Sequence, residues 1–104
     1  MSKGVTVTVM WAIKPEFADT FVEARRGMFP VTRTREGFRN IRLLRSEVDA
    51  NQFVLIEEWD EAHSFQDYAR FRTETGDTEK LLAMTASPPQ LGVWALNPLA
   101  AAQA

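Results

Sequence analysis

The chain has 104 residues, 45% of them hydrophobic and 25% charged, with a formal net charge of −2. A chain of that length buries about two thirds of its extended surface and supports one core, and the composition excludes wholesale disorder. With no cysteine and a single histidine, His63, the chain excludes disulfides, thiolate chemistry and any zinc or haem site built on several imidazoles.

The opening Met-Ser-Lys-Gly does not read as a leader, and no apolar run approaches membrane length. A cytoplasmic protein without a membrane segment is expected. Val5, Val7, Val9, Trp11 and Ile13 then alternate with Thr6, Thr8, Met10 and Ala12. Period two and β-branching predict a first strand at about 4–13, covered on both faces. Pro15 suits the first turn of a helix. Phe17, Phe21, Ala24 and Met28 form one helical stripe, with Glu16 and Asp19 near its start and Arg25 and Arg26 toward its end. Gly27 and Pro30 predict an end or kink near 29, with a further turn over 31–36 and Gly37 as a C-terminal cap.

Residues 38–46 read as a second strand and Phe53–Trp59 as a third. The polar link Val48-Asp-Ala-Asn51 joins them as an antiparallel hairpin. Asp60 is the predicted N-cap of a second helix at 61–73. Gly76 breaks it, and Asp77 or Thr78 caps a short helix at 79–86 that Pro88-Pro89 stop. Residues 91–96 form a fourth strand, and 98–104 read as a tail. The order βαββαβ is the ferredoxin-like split βαβ pattern: an α+β fold with one four-stranded antiparallel sheet carrying its helices on one face. The expectation is one domain over 1–104, its core at about 5–97. Thr, Met and Ala in strand 1, with Val54 and Ile56 in strand 3, leave the other sheet face too apolar for water. A second copy packing sheet to sheet is expected there, giving a homodimer.

Charge is unevenly spread: residues 25–45 hold seven arginines and one acid, whereas 46–79 hold ten acids and two arginines. No nucleic-acid recognition motif accompanies the basic block, so it is read as a solvated face with ion pairs, or as a surface setting the register of self-association.

The stretch Phe53-Val-Leu-Ile-Glu-Glu-Trp59-Asp-Glu-Ala-His-Ser-Phe65-Gln-Asp-Tyr68 resembles the signature of the antibiotic biosynthesis monooxygenase domain, in which a third strand ends in Glu-x-Trp and runs into an acidic helix start. The opening Val-Thr-Val-Thr-Val, Lys14-Pro-Glu-Phe17 and Thr34-Arg-Glu-Gly-Phe38 are similar to the same family's first strand, helix start and lead-in to strand 2. The resemblance covers about residues 5–97. It implies a dimeric α+β barrel with a pocket between sheet and helices in each protomer. Relatives include cofactor-independent oxygenases of anthrones and quinols, haem-degrading enzymes and a sugar isomerase. Features of the haem-degrading branch are absent: residues 5–13 contain no Asn, Tyr68 stands where that branch has tryptophan, and Thr78 where it has an iron-binding histidine.

Oxygenation without metal or flavin puts the difficulty on the substrate. An electron-rich phenol, anthrone or quinol loses a proton, and its anion passes an electron to O₂. The protein supplies an aromatic slot, a proton acceptor and a donor that stabilises the anion. On the second helix, Glu61, Phe65, Tyr68 and Arg72 share one face. There Phe65 would wall the slot, Tyr68 hold a substrate oxygen and Arg72 stabilise an anion. His63 falls on the neighbouring, solvated face with Asp67, Arg70 and Glu74. In strand 3, Phe53, Leu55, Glu57 and Trp59 point one way. Trp59 and Leu55 would line the pocket, and Glu57 would act as a base in apolar surroundings or pair with Arg42 or Arg45. Trp11 and Trp94 read as wall or interface. The expected function is a cofactor-independent monooxygenase of a small hydrophobic aromatic, with Tyr68, Arg72 and Trp59 as the reactive set and no cofactor or metal. The alternatives are a non-catalytic ligand-binding or assembly dimer on the same fold, and an isomerase.

Overall fold

The computed structural model describes residues 3–104. Met1 and Ser2, which the sequence reading places in the domain ahead of the first strand, lie outside the described residues. Strand β1 (Val5–Ala12) buries Val5, Val7, Val9 and Trp11 on one face, as its alternation requires. It is a central strand, antiparallel to β3 (Gln52–Trp59) on one side and β4 (Gln90–Ala95) on the other. Strand β2 (Phe38–Arg45) completes the sheet at the outer edge of β3, in the order β2-β3-β1-β4. This is the expected ferredoxin-like α+β sheet. The helices α1 (Ala18–Thr32), α2 (Ala62–Glu74) and α3 (Asp77–Leu82) join the strands. Phe21, Tyr68 and Leu81 carry their apolar faces into the core formed with β1 and β3.

Four details differ from the sequence reading. Pro30 lies inside α1, which continues to Thr32. Proline removes only its own N–H bond and crowds the preceding turn, and Pro30 is exposed, so water can serve the carbonyl left without its partner. Asp60 does not cap α2. Glu61 is the N-cap and makes no side-chain cap bond, while Asp60 accepts from Arg39 Nε at 2.7 Å. The short helix begins at Asp77 rather than 79, because Gly76, at φ 84°, turns the chain straight out of α2. Finally, Glu57 pairs with neither Arg42 nor Arg45; Arg45 instead lies over the Phe53 ring, 4.9 Å from its centroid.

A bulge interrupts the pairing of β2 with β3. Phe38 stands opposite Trp59 and Asn40 opposite Glu58, leaving Arg39 as the extra residue. It brings Phe38 onto the same face as Ile41 and Leu43, which strict alternation would not do. The Phe38 ring then meets the Trp59 ring edge-on at 5.5 Å. The opposite sheet face carries exposed Met10, Leu44 and Trp94, and Trp94 Nε1 donates to Thr8 Oγ1 at 2.9 Å. Among the described residues, no helix is long and apolar enough to cross a membrane.

Candidate functional site

Helix α2 enters the core with one face, because Tyr68 and Arg72 follow one another at i,i+4. They are 5% and 8% exposed. The Tyr68 ring packs on Trp59 at 5.2 Å, with 31° between the planes. Trp59 is itself fully enclosed, and its Nε1 donates to Glu57 Oε1 at 2.9 Å. Glu57 and Trp59 thus share the inner face of β3, as their i,i+2 spacing dictates.

The Tyr68 hydroxyl sits in a chain of hydrogen bonds whose directions are fixed. Arg72 Nε donates to it at 3.0 Å. Thr32 Oγ1 lies 2.7 Å away and spends its own proton on the Met28 carbonyl, 3.0 Å distant. The Tyr68 proton therefore goes to Thr32. Arg72 Nη2 also reaches the Met28 carbonyl at 2.9 Å and Thr32 Oγ1 at 3.3 Å, and Nη1 reaches Asp77 Oδ2 at 2.8 Å. A guanidinium has five N–H donors, and these four bonds occupy most of them. Arg72 is thus a clamp joining the end of α1, the face of α2 and the start of α3. Hydrogen bonds from Thr75 and then Arg72 hold the Asp77 carboxyl below its ordinary pKa.

Beside this clamp lies a cavity of about 200 Å³, between the inner sheet face and helices α1 to α3. Trp11, Arg25, Met28, Phe65, Tyr68 and Arg72 form its working wall, and its lining is otherwise mostly aliphatic. Four residues expected at the site therefore meet at the cavity: Trp11, Phe65, Tyr68 and Arg72. Trp59, Leu55 and Glu57 do not line it. They form the layer beneath, Trp59 supporting Tyr68 from behind. Burial raises the Glu57 pKa above its ordinary value, although the Trp59 hydrogen bond and the charge of Arg25 act in the opposite direction. His63 points to water as expected, against Glu61 and 3.8 Å from Asp67. A wider hollow of about 410 Å³ beside His63 has among its lining the ion pairs of Arg39 with Asp60 and of His63 with Glu61.

Arg25 is the residue that the sequence reading placed elsewhere. Within a run of arginines it looked solvated, yet it is 6% exposed, its guanidinium 5.1 Å from the centroid of the Trp11 ring. It stands four residues after the fully buried Phe21, on the same side of α1. That spacing was the available signal. Burial lowers its pKa from the ordinary arginine value, with Tyr68 and Glu57 opposing the shift. Among the described residues, no three His, Asp or Glu side chains stand close enough together to hold a metal ion.

The family model described as antibiotic biosynthesis monooxygenase matches residues 4–82. Among solved structures, a putative antibiotic biosynthesis monooxygenase from Nitrosomonas europaea is similar at 18% identity and a TM-score of 0.84, covering 94% of this chain and 95% of that one. SnoaB, a cofactor-independent oxygenase from Streptomyces nogalater, is similar at 16% identity and a TM-score of 0.81, covering 93% and 96%. A conserved protein from Methanosarcina mazei Go1 is similar at 15% identity and a TM-score of 0.82, covering 88% and 91%. At these identities the likeness is one of fold. None of the curated proteins matches the chain.

Proposed function

The chain belongs to the antibiotic biosynthesis monooxygenase family, and from that premise we propose that its cavity binds a small hydrophobic aromatic and promotes its oxygenation by O₂ without an added cofactor. The observation that carries this reading is a mostly apolar cavity lined by one buried phenol, Tyr68, whose hydroxyl Arg72 and Thr32 hold in place. Thr32 Oγ1 also accepts from Arg72 Nη2. Tyr68 can therefore turn its O–H to a ligand oxygen without leaving Thr32 unsatisfied, which removes most of the usual cost of breaking a buried hydrogen bond.

A dry cavity of ~150 Å³ holds one benzene ring. The cavity here, at about 200 Å³, takes a one- or two-ring phenol or quinol, with any further ring at the mouth. The substrate supplies all the electrons. For a naphthol, the ionised ring passes one electron to O₂, and the two radicals join through a new C–O bond. The peroxide O–O bond then breaks, water leaves and a quinone remains. One naphthol and one O₂ become one quinone and one water. Phe65 and Trp11 would flank the ring, Tyr68 would hold its oxygen, and Arg72 would act through Tyr68 by keeping that hydroxyl in place. Trp59 would act from one layer further back.

Oxygen uptake with one-, two- and three-ring phenols in metal-free buffer tests the proposal. Turnover above the autoxidation blank is expected, highest for two rings. Binding without turnover would instead assign a non-catalytic ligand-binding protein on this fold. We also read the chain as a homodimer formed through the sheet face that exposes Met10, Leu44 and Trp94, since exposed apolar side chains gathered on one face suit an interaction surface.

A further inference from the structure

Across the described residues, two buried side-chain polar atoms have no hydrogen-bond partner: Arg25 Nε and Trp11 Nε1. Both are donors, both belong to residues that line the cavity, and the two side chains are in contact. Among the described residues, the only hydrogen bond from the Arg25 guanidinium is Nη1 to the thioether of Met28, at 3.6 Å. Sulfur is a weak acceptor, and Met side chains reposition easily. Among the described residues no carboxylate reaches Arg25 as an ion pair, and Glu57 and Asp77 act on it only through space, whereas the other cavity cation, Arg72, is bonded to Asp77 at 2.8 Å. A buried guanidinium without an anion is costly unless something completes it. The Arg25–Trp11 wall of the cavity therefore holds more hydrogen-bond donors than acceptors, and its cation has no directly bonded anion.

We propose that Arg25 is the receptor for an oxyanion carried by the ligand, so that the cavity takes a flat aromatic anion, whether a carboxylate or an ionised phenol. The proposal rests on the reading of this cavity as an aromatic-binding site and adds the charge of what binds. The ligand ring lies along Trp11 and Phe65. Its oxygen replaces the Met28 sulfur on the guanidinium, whose planar fork suits a carboxylate through two bonds or a phenolate through one. Arg25, rather than Arg72, meets the charge because the donors of Arg72 are already committed to Tyr68, Thr32, Met28 and Asp77.

Calorimetric titration of the full chain with three probes tests this: 2-naphthoate, its neutral counterpart 2-naphthylmethanol, and 4-nitrophenolate in mildly alkaline buffer. Naphthoate is expected to bind about tenfold or more tighter than the alcohol, the effect of one charge-assisted hydrogen bond. In Arg25→Met that preference should vanish while the alcohol still binds. Equal affinity of the two probes for the unmodified chain overturns the proposal and needs no variant. A preference that survives in Arg25→Met overturns it as well. Nitrophenolate binding that depends on Arg25 extends the receptor to ionised phenols, and its absence confines it to carboxylates. The oxygenase reading fails separately, if the alcohol binds but no phenol is turned over. Failure of every probe to bind would overturn both.

Discussion

Replacing Tyr68 with Phe keeps the ring against Trp59 and removes only the hydroxyl at the centre of the buried chain. Two bonds are lost: one from the charged Arg72 at 3.0 Å and one to Thr32 at 2.7 Å. A buried hydrogen bond to a charged group contributes ~1.5–3 kcal/mol and a neutral one ~0.5–1.5 kcal/mol. The remaining partners soften the loss, since Arg72 keeps Met28, Thr32 and Asp77 while Thr32 keeps Arg72 and Met28. The expected destabilisation is about 2 kcal/mol, or ~8–16 °C in Tm for a domain of this size. Urea and thermal unfolding followed by tryptophan fluorescence, at matched protein concentration, measure it. Thr32→Val should not add fully to Tyr68→Phe, because the two share a bond, and a coupling of about 1 kcal/mol is expected in the double-mutant cycle. A loss below ~0.5 kcal/mol, the size of an ordinary surface change, or full additivity in the cycle, would refute the hydroxyl as the junction. In the oxygen-uptake assay the same Tyr68→Phe change should slow turnover more than tenfold.

Other perturbations probe neighbouring parts. Arg72→Met opens all four bonds of the clamp and should cost ~3–5 kcal/mol, the range for breaking a buried charged network; a loss under 1 kcal/mol would mean water replaces those bonds freely. Because burial raises the Glu57 pKa, the folded chain holds that proton to higher pH than the unfolded chain does. The Glu57 contribution is thus greatest at acid pH and is lost as pH climbs from the ordinary glutamate value through the raised folded one. Glu57→Gln should flatten that part of the pH dependence of the urea midpoint, and parallel profiles would contradict the assignment. Gly37 has φ +81°, and an added Cβ would overlap Ser64. Gly37→Ala should therefore cost ~1–3 kcal/mol, read from the same unfolding curves. Light scattering should report twice the chain mass, reverting to one mass in a Met10→Glu, Leu44→Glu variant. A single-chain mass for the unmodified protein would remove the homodimer.

Much of the frame was legible because its signals are periodic. Alternation in β1 and the hairpin of β2 and β3 depend on side-chain parity alone, and the inward turn of Tyr68 and Arg72 follows from a spacing of four on one helix. The misplaced features depend on tertiary surroundings. Pro30 stays in α1 because the turn it weakens faces water, which no local rule reveals. Arg25 sat in a basic run whose composition argued for solvent, and only its position relative to Phe21 argued otherwise. Parity turns Glu57 inward, but its place beside Trp59, off the cavity lining, depends on tertiary packing, which one-dimensional spacing does not carry. The same limit applies to Trp59 and Leu55, which share the inward face of β3 and are buried without lining the cavity.

The unmatched residue at Arg39 gives the chain an uneven tolerance to changes in length. Trimming one amino acid there would leave β3 untouched but reverse the orientation of either Phe38 or the segment beyond it, sending Ile41 and Leu43 outward or stripping Trp59 of its edge-on neighbour. The same trim a few positions later, in the exposed link at 47–50, shortens a loop and moves no side chain across the sheet. Natural variation and designed insertions should therefore accumulate in that link and avoid the start of β2, even though both segments lie at the surface.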